Sequence, residues 1–303
     1  MEMIFEDYFP QLANHWQVGE SQLKLHWDEL RSDRQFLSDL NSVVRDVPEF
    51  MGACFKHVRD LRNYRCLLYL FTRVIQPEIF VETGVLNGFS SAFILLAMRH
   101  NRKGILYSID LPPDDEILEQ GNRPVPQGKS AGWVIPDSLR SSHHLLLGRA
   151  QTILPDLLEK QSSIDAFLHD SDHSYSHMMF ELGLSWDYLR PGGWLLCDNV
   201  EANSAFSDFE RGVDGNGLIV ASFNTPTRIW KHGLLQKPLR AVDCDDHAGA
   251  AASVKGKKTT AEGAPGRLEQ AAIRSGLPGG TGAVPARGSM PRAGGRAKRG
   301  PLT

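Results

Sequence analysis

The chain has 303 residues, 41% of them hydrophobic and 23% charged, with a formal net charge of −3. That is apolar material for one sizeable domain with additional segments, and no run nears the length of a membrane span; Cys66–Phe71 and Ala92–Met98 are far too short. The first 240 residues carry −8, and a mildly acidic body argues against nucleic acid as the main partner.

The opening residues Met1–Asp7 lack the basic region of a secretory signal. Cys54, Cys66, Cys197 and Cys244 are scattered with no C-x-x-C pair. Both features lead us to expect reduced thiols and a cytoplasmic location. Residues 1–76 read as a helical N-terminal extension. Ser21 precedes the helical pattern Gln22–Leu30, Ser32 is the predicted cap of a helix over Asp33–Val44, and Pro48 is placed to open a longer helix running through Leu67. Pro77 ends it. Trp16, Trp27 and Leu67–Phe71 read as core or as the surface of a homo-oligomer, not as a binding box.

Residues 77–240 alternate between short apolar runs and helical patterns. Ile79–Val81 is a short buried strand ending at the acid Glu82. A loop with Gly84 and Gly88 follows, then the apolar stretch Phe93–Met98. The glycines allow a sharp turn and the approach of a ligand to bare backbone. Ser90 and Ser91 fall at the start of the helix, where free N–H groups receive negative charge. Gly104–Asp110 is a second strand that also ends in an acid, which completes a β-α-β unit. In doubly wound sheets an acid at the position of Asp110 accepts hydrogen bonds from ribose hydroxyls. Leu111–Pro136 is rich in proline and glycine. Two readings stay open for it: a lid over a substrate, with Trp133 as a contact, or a disordered loop.

His144–Gly148 is a third strand, followed by a helix over Ile153–Lys160. Ile164–Asp170 is a fourth. The next helix spans Ser174–Leu189, with Met178, Leu182 and Tyr188 facing inward, and Arg190–Gly193 ends it. Trp194–Asn199 is a fifth strand, and Leu218–Phe223 and Thr227–Lys231 form a terminal antiparallel pair. His173 stands beside the strand-end acids. Its ordinary pKa lies near neutrality, so it is the candidate general base.

Four features occur in order: Glu82-Thr83-Gly84…Gly88, Asp110, the run His169-Asp170-Ser171-Asp172-His173-Ser174-Tyr175, and Arg190-Pro191-Gly192-Gly193-Trp194 before Asp198. Together they resemble the class I S-adenosylmethionine (SAM)-dependent methyltransferases, most closely those whose fourth strand ends in D-x-D-H-x-Y. The resemblance covers about 63–238. It implies a seven-stranded, mainly parallel α/β sheet, doubly wound in the Rossmann-like manner, with one antiparallel strand. It places Glu82, Gly84 and Gly88 around the methionine end of SAM, Asp110 at the ribose, and Gly148 and Arg149 near the adenine; Ser90, from its place at the helix start, and Asp170 are also expected to contact the cofactor. Arg149 departs from the acid that many relatives carry there. Asp170, Asp198 and Asn199 also resemble the Mg²⁺ ligands of catechol O-methyltransferase-like enzymes, with the alternative that Asp198-Asn199 only cap the next element.

These expectations combine into a SAM-dependent O-methyltransferase of a small hydroxylated molecule, such as a sugar or natural product, with His173 and Asp170 as catalytic residues. Two alternatives stand beside it: a catalytically silent SAM-binding protein, and an NAD(P)-linked oxidoreductase. The missing G-x-G-x-x-G counts against the second.

Beyond Arg240 the character changes. Alanine, glycine, proline and basic residues dominate, with ten Lys/Arg against five Asp/Glu. Such a composition buries too little apolar surface to offset its ordering entropy, so 241–303 reads as a disordered low-complexity tail. A chain ending at Arg240 is therefore expected to keep the melting temperature of the full chain. A drop of several degrees in a calorimetric scan would show that the tail belongs to the core.

Overall fold

The computed structural model describes residues 5–47, 63–112, 125–225 and 228–239. Residues 48–62, where the sequence reading has Pro48 open a helix, residues 113–124 of the long loop after Leu111, and the tail beyond Leu239 lie outside these residues. A 3-10 turn (Phe5–Tyr8) leads into four helices: α1 (Phe9–Trp16), α2 (Glu20–Ser32), α3 (Arg34–Val44) and α4 (Asn63–Ile75). Then come β1 (Ile79–Thr83), α5 (Phe89–Asn101), β2 (Ile105–Asp110), β3 (His143–Leu147), α6 (Ala150–Gln161), β4 (Ile164–His169), α7 (Tyr175–Tyr188), β5 (Leu189–Cys197), α8 (Ala205–Gly212), β6 (Asn216–Thr225) and β7 (Arg228–Gln236). Among the described residues no helix is long and apolar enough to cross a membrane.

The strands form one seven-stranded sheet in the order β3-β2-β1-β4-β5-β7-β6. Pairs from β3 through β5 are parallel, and β7 runs antiparallel to both β5 and β6. This is the doubly wound, mainly parallel sheet expected, with its terminal antiparallel pair. Arg190–Gly193 does not end a helix before a new strand. It forms an irregularity inside β5, where the register against β4 slips between Ile164↔Leu189 and Ala166↔Trp194.

The sheet has two apolar faces because successive side chains alternate across it. Phe80, Leu168, Trp194 and Leu196 face one core with α1–α5. Val81, Phe167, Leu195 and Cys197 face the other with α6, α7 and α8. Trp16, Trp27 and Leu67–Phe71 all belong to the first core. An aromatic chain links α1 to the sheet through Trp16–Phe71 and Phe71–Trp194, with ring centroids 6.0 and 5.8 Å apart. The cap of α3 is Asp33, whose carboxylate accepts from Phe36 N at 2.8 Å, while Ser32 Oγ donates back to Glu29 O. An acid at this position satisfies a free helix donor and also suits the helix dipole, which a serine does not.

The chain reverses its winding direction at β1, which has β2 on one side and β4 on the other. Gly84, just past β1, has φ +83°, and a methyl group there would overlap the Asp170 carbonyl at the end of β4. Gly84→Ala is thus expected to cost more than about 2 kcal/mol, from backbone strain plus the lost β1–β4 approach. Urea unfolding measures this, and a change below about 0.5 kcal/mol would show that the contact is not obligatory.

Candidate active site

Outside the carboxyl ends of β1, β2, β4 and β5 lies a cavity of about 810 Å³. Crevices at such reversal points are where open α/β sheets bind ligands. Its lining includes Gly84, Gly88, Ser90, Asp110, Gly148, Arg149, Asp170, His173, Asp198 and Asn199. The structure therefore brings together ten of the eleven residues marked from the sequence.

The exception is Glu82. It is fully buried below the cavity and does not line it. Its Oε1 accepts from Ser108 Oγ at 2.6 Å and from Ser91 Oγ, and its Oε2 has no hydrogen-bond partner. Burial pushes the carboxyl up to about 7, against the two serine hydrogen bonds that pull it down. Glu82 ties the start of α5 to β2 and so braces the glycine loop from beneath.

The glycine loop is fixed from three directions. Gly84 N donates to Ile109 O at 2.9 Å. Asp110 Oδ2 accepts from Val85 N and Leu86 N at 3.1 and 2.6 Å, and Oδ1 accepts from Leu111 N at 2.7 Å. Asp110 is thus a loop anchor as well as a cavity residue; burial still leaves its pKa raised. From above, Gly132 N and Val134 N donate to Leu86 O and Asn87 O, and Trp133 Nε1 donates to Asn87 Oδ1 at 2.6 Å. Trp133 is 7% exposed and absent from the cavity lining, so it is a brace and not the substrate contact expected. The space that a side chain at Gly88 would need is filled by Gly132 Cα at 2.6 Å. Both loop glycines are required by protein packed against them.

On the β4 and β5 side, Asp170 and Asp198 sit close enough, with His173, for one ligand atom from each to fall within 4.8 Å of the others. Burial and the adjoining Asp198 carboxylate push the Asp170 carboxyl well up. Burial also opposes ionisation of Asp198, but His232 Nδ1 at 2.5 Å from its Oδ1 outweighs this and holds it low. His232 is itself stacked on Tyr64, with centroids 4.2 Å apart. Asn199 has φ +53°, its Nδ2 lies 3.0 Å from His173 Nε2, and its Oδ1 is buried with no hydrogen-bond partner.

Sequence reasoning missed the group behind His173. Glu181, fully buried on α7, accepts from Thr83 Oγ1 at 2.6 Å and Ser171 Oγ at 3.0 Å. It also meets His169 Nδ1 at 2.5 Å and His177 Nε2 at 2.8 Å. Although burial opposes its charge, these partners hold Glu181 down at about 2. The clue available was an acid three residues after Met178 and one before Leu182, on the apolar face of a helix. His232 carried a weaker signal, its alternation with Leu234 along β7.

Residues 81–200, which supply most of this cavity, match the family model Methyltransf_24, described as "Methyltransferase domain". No curated protein matches the chain. Solved structures similar to it include the O-methyltransferase TomG from Streptomyces achromogenes in complex with SAM, at 16% identity, 69% of this chain, 92% of that one and a TM-score of 0.47. The O-methyltransferase from Bacillus cereus in complex with SAH shows 12% identity, 70% and 99% coverage and a TM-score of 0.44. A methyltransferase from Geobacter sulfurreducens shows 18% identity, 72% and 97% coverage and a TM-score of 0.44.

Glu82 offers a direct check on these electrostatics. Its folded pKa of about 7 lies above the ordinary carboxylate value, so the folded state holds a proton that the unfolded state releases. Its contribution thus weakens as pH rises from about 4.5 to 7, by about 3 kcal/mol in all. Glu82→Gln should abolish that loss, so the variant gains on the parent chain across this window in urea melts. A difference independent of pH would contradict the assignment.

Proposed function

We propose that the chain is a SAM-dependent methyltransferase that methylates a hydroxyl group of a small molecule. The observation that carries this reading is one cavity, within the segment matching a methyltransferase domain, that joins a backbone-lined glycine loop and Asp110 to the Asp170–His173–Asp198–Asn199 group. Its volume of about 810 Å³ suits a nucleoside cofactor together with a small acceptor.

The cavity residues fit SAM. The carboxylate of Asp110 keeps about one acceptor site beyond its three backbone bonds, which suits it to a ribose hydroxyl. Ser90 lies in the first turn of α5, whose free N–H groups favour an anionic end. Gly148, Arg149 and Gln151 line the cavity where α6 begins. Bound SAM supplies an activated methyl group, so the protein's own work is alignment and removal of one acceptor proton. His173 takes that proton at Nε2, and its lowered pKa, caused chiefly by burial, keeps the ring neutral and receptive at neutral pH.

The same residues fit a divalent cation. Two carboxylates crowd together at Asp170 and Asp198, and the orphaned Asn199 Oδ1 adds a neutral oxygen donor. Asp170, Asp198 and Asn199 would hold Mg²⁺, with His173 close enough to join them. A bound ion would lower the pKa of an acceptor hydroxyl as a Lewis acid. His173 serves as base wherever its Nε2 is left free.

The test is S-adenosylhomocysteine release, followed by mass spectrometry over a panel of phenols, catechols and sugars. With an active acceptor, His173→Ala is expected to lower turnover by about a hundredfold at unchanged SAM affinity. Asp110→Asn is expected to weaken SAM binding by roughly tenfold. Asn199→Ala and EDTA should each abolish turnover where the cation is used. A fully active His173→Ala variant would remove the assignment of the base, and full activity in EDTA together with an active Asn199→Ala variant would remove the cation.

A further inference from the structure

We propose that Glu181 is a positioning residue. Through His169 it holds the His173 ring as the tautomer with its proton on Nδ1, leaving the Nε2 lone pair beside Asp170 and Asn199. The use of that lone pair rests on the function proposed above; the tautomer itself rests on hydrogen-bond geometry.

An ionised carboxylate only accepts hydrogen bonds, so it sets the direction of every bond in the chain it terminates. Glu181 meets His169 Nδ1 at 2.5 Å, so that nitrogen carries the proton. With His169 as a neutral ring, its Nε2 is left to accept, and its neighbour is His173 Nδ1 at 3.3 Å. His173 therefore carries its proton on Nδ1. Its Nε2 accepts from the amide Asn199 Nδ2 at 3.0 Å and lies 3.9 Å from Asp170 Oδ1.

A second chain leaves the same carboxylate and obeys the same rule. His177 Nε2 donates to Glu181 Oε1 at 2.8 Å, and His177 Nδ1, left as acceptor, lies 3.0 Å from the amide Gln151 Nε2. Both chains end at amide donors on cavity-lining residues, Asn199 and Gln151. The two agree without any group being asked to donate and accept at one atom. The strong depression of Glu181 keeps it ionised across the working pH range.

The consequence is specific. Free histidine side chains in water favour the proton on Nε2, the form that would present a donor there and leave no Nε2 lone pair to act as base or ligand. Glu181, which does not line the cavity, reverses that preference through one intervening ring.

Long-range ¹H–¹⁵N correlation spectra of the full chain at mildly alkaline pH read the tautomers directly, with His173 assigned by its loss in His173→Ala. The native chain should show His173 with its proton on Nδ1. Glu181→Gln, or His169→Leu should the first variant fail to fold, should convert His173 to the Nε2–H form. Nε2–H in the native chain, or Nδ1–H persisting in a folded variant, would overturn the proposal. Calorimetric binding of SAM to the same native sample keeps the two readings apart. Its absence removes the functional reading and leaves the tautomer result intact.

Discussion

The site depends on how closely the ends of β1 and β4 approach each other. Gly84 lies against the Asp170 backbone with no room for a side chain, and Asp170 N donates to Thr83 O at 2.9 Å. This contact sits where the sheet reverses direction. It sets the glycine loop, which continues from β1, directly beside the acids that follow β4. Asp110 then gathers the loop amides from the β2 side, and Asp198 N continues the β5 end by donating to His169 O at 2.9 Å. The glycine loop and the Asp170–Asp198 acids thus share one cavity wall because the backbones of two parallel strands touch.

The acids around this seam behave differently because their partners differ, and that difference sorts their roles. Glu82 and Glu181 are equally buried, yet one is raised to about 7 and the other lowered to about 2. Glu82 has two serine hydroxyls on one oxygen and nothing on the other. Glu181 has two hydroxyls and two imidazoles. The paired Asp170 and Asp198 split in a third way, with His232 holding Asp198 low while burial and the Asp198 carboxylate push Asp170 up. A buried acid with rich partners orients its neighbours. One with few partners instead stores a pH-dependent cost, and the Asp170–Asp198 pair is the place where an added positive charge would gain most.

Much of this was legible in the sequence. Short apolar runs ending in acids located β1, β2 and β4, because strands buried on both faces need continuous apolar residues while their ends meet the ligand crevice. The motif around Asp170 marked a cavity wall for the same reason. The glycines carry a second role that the sequence did not show: Gly84 and Gly88 turn the loop and line the cavity, and they also leave room for Asp170 and Gly132; no local pattern reveals a contact across the sheet. Glu82 was placed around the cofactor by the family resemblance alone. Its side chain alternates inward instead, toward Ser91 and Ser108. Trp133 fell in a stretch without periodicity, where burial is decided wholly by tertiary contacts. Glu181 and His232 escaped because a lone polar residue within an apolar pattern gives no sign of its partners on other elements.

The central claim is that the cavity outside β1, β2, β4 and β5 is a SAM site, and a thermal-shift comparison of SAM, S-adenosylhomocysteine and NADH tests it most directly. A ligand that binds only the folded state stabilises it by about 2.7 kcal/mol at a hundredfold excess over its dissociation constant. The account predicts a rise in melting temperature of several degrees with SAM and with S-adenosylhomocysteine, and none with NADH. A rise with NADH alone, or with none of the three, would contradict it.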